Sequence, residues 1–288
     1  MKKCFSTLLI ALTVLLVTAG STMAAVQIGV AAGFNDTLTA LIAAFANETG
    51  TDTEDWSVTY ASMSVLNTNV VNALNGGQDT PYDLFLSANT AIPLNLYNNY
   101  AEVHSPFNYA QGTLVMWSHR NTYNVSSGMI PSTYFVDGNK VDICTSGGSY
   151  GQAAAYVLEN TNILDGTPPS TVDPDDPALV TRQTQMYEVV ANVTNLSNVY
   201  DIGIVGNAQV CNGSGSYRDT GDYQYDSYYT FDASAHPTVS LLQAGVRIDR
   251  DLDDEDDIAL SDFIDFIQSS SGRAIISNYC YALPPQEE

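Results

Sequence analysis

The stretch Val26-Gln27-Ile28-Gly29-Val30-Ala31-Ala32-Gly33-Phe34-Asn35-Asp36-Thr37-Leu38 decides the fold class. Its first six residues read as a buried strand and Gly33 as a tight turn. Leu38, Leu41, Ile42 and Phe45 then recur at helical spacing until Gly50. The unit repeats. Residues 56–60 read as extended, Leu66, Val70, Val71 and Leu74 form a helical stripe ending at Gly76-Gly77, and residues 83–87 read as a further strand. Such alternation predicts an α/β protein with helices on both faces of an open sheet. A second series, with strands at residues 113–117, 141–144 and 201–205 and a helix at 152–158, predicts a second lobe.

Between these elements, residues 165–177 are rich in Pro, Asp and Thr and predict an exposed loop. Residues 212–235 hold Tyr217, Tyr223, Tyr225, Tyr228 and Tyr229 without a clear period. They read as a solvated loop or irregular hairpin in preference to a partner-facing aromatic patch. The acidic run 249–257 has the early spacing of a calcium loop, but Asp254 stands where the turn glycine belongs and Leu260 where the closing Glu belongs. It reads as a solvated acidic loop. A helical stripe of Phe263, Phe266, Ile267, Ile275 and Ile276 follows, with Ser261 as its expected cap.

Nine basic residues against 32 acidic ones give a formal net charge of −23. A surface so acidic repels a phosphate backbone, which argues against nucleic-acid binding. Met1-Lys2-Lys3, an apolar run from Leu8 to Thr18 and the small residues through Ala24 have the three parts of a secretory signal. Cleavage after Ala24 is expected, leaving a periplasmic or otherwise secreted chain. No later segment approaches the roughly 20 apolar residues that cross a bilayer. Of the four cysteines, Cys4 leaves with the leader, and the expected pairing of the rest is Cys144 with Cys211, leaving Cys280 free. None has the spacing of a zinc or iron–sulfur site, so no metal is expected.

No nucleophile elbow, phosphate-binding loop, zinc-protease motif or dinucleotide fingerprint is present, and His119 and His236 read as structural. No catalytic residue and no cofactor are expected. What remains is a set of turns between strands and helices: residues 32–35, 61–64 and 146–151. In an open α/β sheet such turns face a common crevice, where the free N–H groups of helix starts hold an anion.

These segments resemble the periplasmic molybdate-binding proteins, the solute receptors of a class of ABC importers. Residues 30–38 look like their opening strand-turn-helix motif, residues 60–66 like their serine-rich second turn, and Pro81-Tyr82-Asp83-Leu84-Phe85-Leu86-Ser87-Ala88 like a further conserved-order segment of theirs. Residues 113–117, 201–205 and 263–279 follow in the same order. The resemblance implies a two-lobed type II periplasmic-binding-protein fold, each lobe an open mixed sheet flanked by helices. It implies residues 25–108 and 240–288 as lobe one and 109–239 as lobe two. It also implies a monomeric secreted receptor that holds a small oxyanion and delivers it to a transporter permease. The alternative is a secreted protein using the same fold as a surface-interaction or structural module.

The resemblance places ligand contacts at the N–H groups near Gly33, Phe34, Gly151 and Val193, with Val193 at the start of a predicted helix, and at a hydroxyl of Ser62 or Ser64. Three hydroxyl donors of the family fall here on Gly33, Met63 and Gly206. Asn35, Ser62, Ser64, Tyr150 and Asn207 are the expected substitutes. Each uncompensated loss costs on the order of 1.5–3 kcal/mol, so three losses bring nanomolar binding to micromolar or weaker.

Overall fold

The computed structural model describes residues 26–284 apart from residues 55, 120–121, 167–169, 196–199, 218–225, 251 and 253. The expected leader, Tyr223 and Tyr225 lie outside the described residues.

Leu84 and Leu86 face one side of their strand and Phe85 the other, yet all three are fully buried. That continuous apolar run forms because helices cover both faces of the sheet. In chain order the first half contains β1 (Gln27–Ala31), α1 (Asn35–Thr49), β2 (Ser57–Ala61), α2 (Met63–Asn75), β3 (Leu84–Ser87), α3 (Ala91–Asn99) and β4 (Phe107–Gln111). The middle contains β5 (Leu114–Ser118), α4 (Thr133–Val136), β6 (Val141–Cys144), α5 (Ser149–Asn160), β7 (Val180–Gln183), α6 (Met186–Thr194), β8 (Ile202–Gly206) and β9 (Ser227–Phe231). The chain closes with β10 (Leu242–Arg247), α7 (Asp254–Gln268) and α8 (Ser270–Asn278).

Two five-stranded sheets result, ordered β2-β1-β3-β10-β4 and β7-β6-β8-β5-β9. In each, three adjacent strands are parallel and the fourth is antiparallel to both its neighbours. The chain crosses between the sheets at Gly112-Thr113 and returns through residues 232–241. Because β10 enters the first sheet from the far end of the chain, α7 and α8 pack there too. Phe45 of α1 meets Phe263 and Phe266 of α7 with ring centroids 5.3 and 5.7 Å apart. Truncating a buried ring in such a cluster costs about 3–5 kcal/mol.

Three sequence expectations are corrected here. The acidic run is no loop in its second half: Asp254, Glu255, Asp256 and Asp257 form the first turn of α7, where carboxylates oppose the positive end of the helix dipole. Ser261 therefore sits inside α7. The cap is Ser269, whose hydroxyl accepts the Gly272 N–H at 3.2 Å and starts α8, so the predicted single stripe is two helices. Residues 227–231 of the tyrosine-rich stretch are the edge strand β9, paired to β5 throughout.

The disulfide expectation is also corrected. Cys211 bonds Cys280, with Cα atoms 5.9 Å apart, and Cys144 is free. A short 3-10 turn, Asn207–Gln209, carries Cys211 away from β6 and towards the end of α8, whereas Cys144 is held at the end of β6, between β7 and β8.

Candidate functional site

The carboxyl ends of β1, β2, β6 and β7 lead into helix starts. β1 runs into a 3-10 turn at Ala32–Phe34 and then α1, β2 into α2, and β6 into α5. The 3-10 turn, α2 and α5 have no side-chain hydrogen bond at their caps. α6 differs: Gln185 and Glu188 form a reciprocal capping box, with the Gln185 N–H donating to the Glu188 carboxylate at 2.8 Å.

Between these ends lies a cavity of about 70 Å³. Ala31, Gly33, Phe34 and Ala88 line it from the first sheet, and Tyr150, Met186, Gly206, Ala208 and Gln209 from the second. Gln243 of β10 and Tyr281, just past α8, complete the lining. Sites for drug-sized ligands run to roughly 300–1,000 Å³, whereas a single water needs only about 10–15 Å³. The cavity therefore suits a small polyatomic ion or a few waters.

No lining residue carries an ionisable acid or base other than tyrosine. Burial pushes the hydroxyls of Tyr150 and Tyr281 above the ordinary tyrosine range, so both stay neutral donors. Tyr150 Oη accepts from Gln243 Nε2 at 3.1 Å, which leaves its own O–H able to donate. Gln243 is fixed in turn by the buried Tyr109, whose hydroxyl donates to Gln243 Oε1 at 2.9 Å. The Gly33 carbonyl accepts from Tyr281 Oη at 2.9 Å and from Gln209 Nε2 at 3.2 Å, so that turn is gripped from both sheets. The described cations lie elsewhere: Arg250 pairs with Asp83 and Arg247 with Asp257. Arg182 pairs with Asp175, while Lys140 and Arg273 donate to the carbonyls of Pro177 and Pro284.

Of the residues expected from the sequence, Gly33, Phe34 and Tyr150 line the cavity together. Asn35 is the exposed first residue of α1. Ser62 caps α2 by position, with its hydroxyl 3.2 Å from that of the exposed Ser64, and neither lines the cavity. Met63 is the first residue of α2, and its sulfur accepts the Ala88 N–H. Gly151, in the first turn of α5, is buried so closely against the Thr145 carbonyl that a Cβ there would collide with it. Asn207 does not line the cavity, and its N–H donates to the Thr113 carbonyl at 2.9 Å.

Val193 is corrected. It lies near the end of α6, not at its start, and is buried among Val115, Trp117, Val189, Val205 and Val210. Met186 occupies the helix start. Sequence reasoning missed Met186, Gln209, Gln243 and Tyr281. The spacing Gln185-x-x-Glu188 was the available signal for the true start of α6.

The paired sheets, the double crossing and the small donor-lined cavity between them define a two-lobed solute receptor, the type II periplasmic-binding-protein fold. The sequence pattern of the bacterial extracellular solute-binding proteins matches residues 26–282, and the chain belongs to that family. Among solved structures it is similar to the periplasmic molybdate-binding protein of Azotobacter vinelandii, at 21% identity and a TM-score of 0.66, covering 90% of this chain and 100% of that one. It is also similar to the substrate-binding domain assigned to a molybdenum ABC transporter of Clostridium difficile, at 17% identity and a TM-score of 0.64, covering 90% and 99%. A phosphate-bound substrate-binding protein assigned to a phosphate ABC transporter of Clostridium perfringens matches at 14% identity and a TM-score of 0.53, covering 91% and 100%. Among the described residues no helix is long and apolar enough to cross a membrane.

Proposed function

We propose that this chain is the periplasmic receptor of an ABC importer and binds a small oxyanion of the molybdate or tungstate kind in the cleft between its sheets. The observation that carries this reading is the uncharged cavity of about 70 Å³ between uncapped helix starts, walled by neutral donors. Fixed dipoles in a water-poor site stabilise an anion without a counter-ion, so the acidic surface is compatible with such a ligand. The molybdate and phosphate named for the similar structures point the same way.

In this reading residues 25–108 with 240–288 form one lobe and 109–239 the other. The lobes close on the ion, and the closed monomer docks on the permease. Calorimetry of the mature chain with molybdate, tungstate, sulfate and phosphate tests it. One-to-one binding of at least one ion is expected. No heat and no thermal shift with any of the four at millimolar concentration refutes it.

A further inference from the structure

Met63 opens α2 and Met186 opens α6, each the first helical residue after an edge strand of its sheet. The Met63 sulfur accepts the N–H of Ala88, just past β3, at 3.3 Å. The Met186 sulfur accepts the N–H of Gly206, the last residue of β8, at 3.1 Å. β1 lies between β2 and β3, and β6 between β7 and β8. Each thioether therefore reaches over the carboxyl end of a central strand to a backbone donor on its far side. The same device occurs once in each sheet. Ala88, Gly206 and Met186 all line the cavity.

A thioether is a weak, neutral acceptor, and an N–H to an ionised oxygen makes a bond roughly twice as strong as a neutral pair. These two donors are thus satisfied by sulfur and become available to an anion when the side chains swing aside. Methionine, unbranched and with three rotatable bonds, can do so. We propose that Met63 and Met186 are the specificity-determining residues of the cleft, each masking a backbone donor that an oxyanion must win from sulfur. The inference rests on the oxyanion reading of the cleft.

The test compares the parent chain with M63A, M186A, the double variant and M186L. Each is titrated by calorimetry with molybdate, tungstate, sulfate and phosphate. Each alanine substitution, which adds no donor of its own, is expected to tighten binding of at least one ion roughly tenfold, and the double variant roughly a hundredfold, since the freed backbone N–H makes a charge-assisted bond. M186L should tighten binding less than M186A, because it removes the sulfur acceptor but keeps the bulk over the donor. In the parent labelled with 13C-methyl methionine, the best-bound ion should shift the Met63 and Met186 signals. Those of Met116, buried in the second core, and of the exposed Met129 should stay in place.

If the parent binds an ion, folded alanine variants that bind no tighter overturn the masking and leave the oxyanion reading standing. Methyl signals of Met63 and Met186 that stay put at saturation overturn it as well, even where an alanine variant fails to fold. Binding by the double variant alone supports the masking and overturns the oxyanion reading of the parent. Absence of binding in every chain overturns both.

Discussion

Cys211 and Cys280 tie the two sheets together covalently: one follows β8 of the second sheet, the other follows α8, which packs on the first. The bridge closes a loop with a sequence separation of 69 that contains β9, β10, α7 and α8. Cross-linking so long a loop restricts the unfolded chain, and reduction is expected to cost about 2–4 kcal/mol. Denaturant unfolding with and without reductant measures this. Non-reducing peptide mapping should yield a 211–280 linked peptide, and a linked peptide containing Cys144 would refute the pairing. Cys144 should also react slowly with alkylating reagents, because burial pushes its thiol pKa up to about 12.

Asp83, just before β3, is fully buried between the start of β1 and the residue that follows β10, with its N–H on the Gln27 carbonyl and its carbonyl on the Ile248 N–H. Its Oδ2 accepts from the Gln27 N–H at 2.6 Å and from Arg250 at 3.0 Å. Removing one partner of a buried pair strands the other charge, so Arg250→Ala should destabilise the chain by about 3–5 kcal/mol. Equilibrium unfolding checks it. A loss under about 1 kcal/mol would mean that water or a rearranged neighbour replaces the guanidinium.

The parallel part of the first sheet was legible because its central strands β1 and β3 are apolar runs followed by a turn and a helix, with β2 set between two such units. Ile28, Val30, Leu84 and Leu86 mark those strands by themselves. β4, β7, β9 and β10 were not readable. β7 is Val-Thr-Arg-Gln, and β9 is buried only at its ends, Ser227 and Phe231, with half-buried Tyr228 and exposed Tyr229 and Thr230 between them, so neither shows a strand period and both are placed by pairing with β6 and β5 rather than by composition. β7 runs straight into α6, so without it the start of that helix was not marked, and Val193, placed at a helix start by the resemblance, lies near its end. The cleft was legible only in part for the same reason: Gln243 lies on β10 and Tyr281 beyond α8, segments whose position depends on the whole chain returning to the first sheet. Spacing alone does not fix disulfide connectivity, and Cys144 and Cys211, both close to strand ends, made a plausible but wrong pair.

Asp142, on the central strand β6, is fully buried, and its carboxylate accepts from Asn192 at 2.8 Å and Gln183 at 2.9 Å. Burial outweighs these bonds and raises its pKa from 3.8 to about 6. The folded state therefore holds this proton more tightly than the unfolded chain. Its contribution is complete below about pH 4 and is lost as pH rises through 6, with a span on the order of 3 kcal/mol. Stability of the parent relative to D142N should fall across that window and level off above about pH 7. A pH-independent difference between the two would show that Asp142 titrates normally.

Tyr150 offers the sharpest test of the cleft, because its hydroxyl has two duties. It accepts the Gln243 amide and leaves its own hydrogen free to donate, and the Gly112 backbone at the crossing between the sheets packs directly against it. Tyr150→Phe removes the donor and strands the Gln243 N–H, so it should weaken oxyanion binding roughly 10- to 100-fold and cost about 1–3 kcal/mol of stability. Tyr281→Phe is the comparison. Its hydroxyl already donates to the Gly33 carbonyl, which Gln209 continues to satisfy, so a smaller loss of affinity is expected. Gly112→Ala supplies an independent route, since a Cβ there collides with the Tyr150 hydroxyl and must push the ring aside. If Tyr150 donates to the ion, Gly112→Ala and Tyr150→Phe should weaken binding together while the far-ultraviolet spectrum stays unchanged. Full affinity in Tyr150→Phe would place the ion against the backbone N–H groups of the helix starts without help from this hydroxyl.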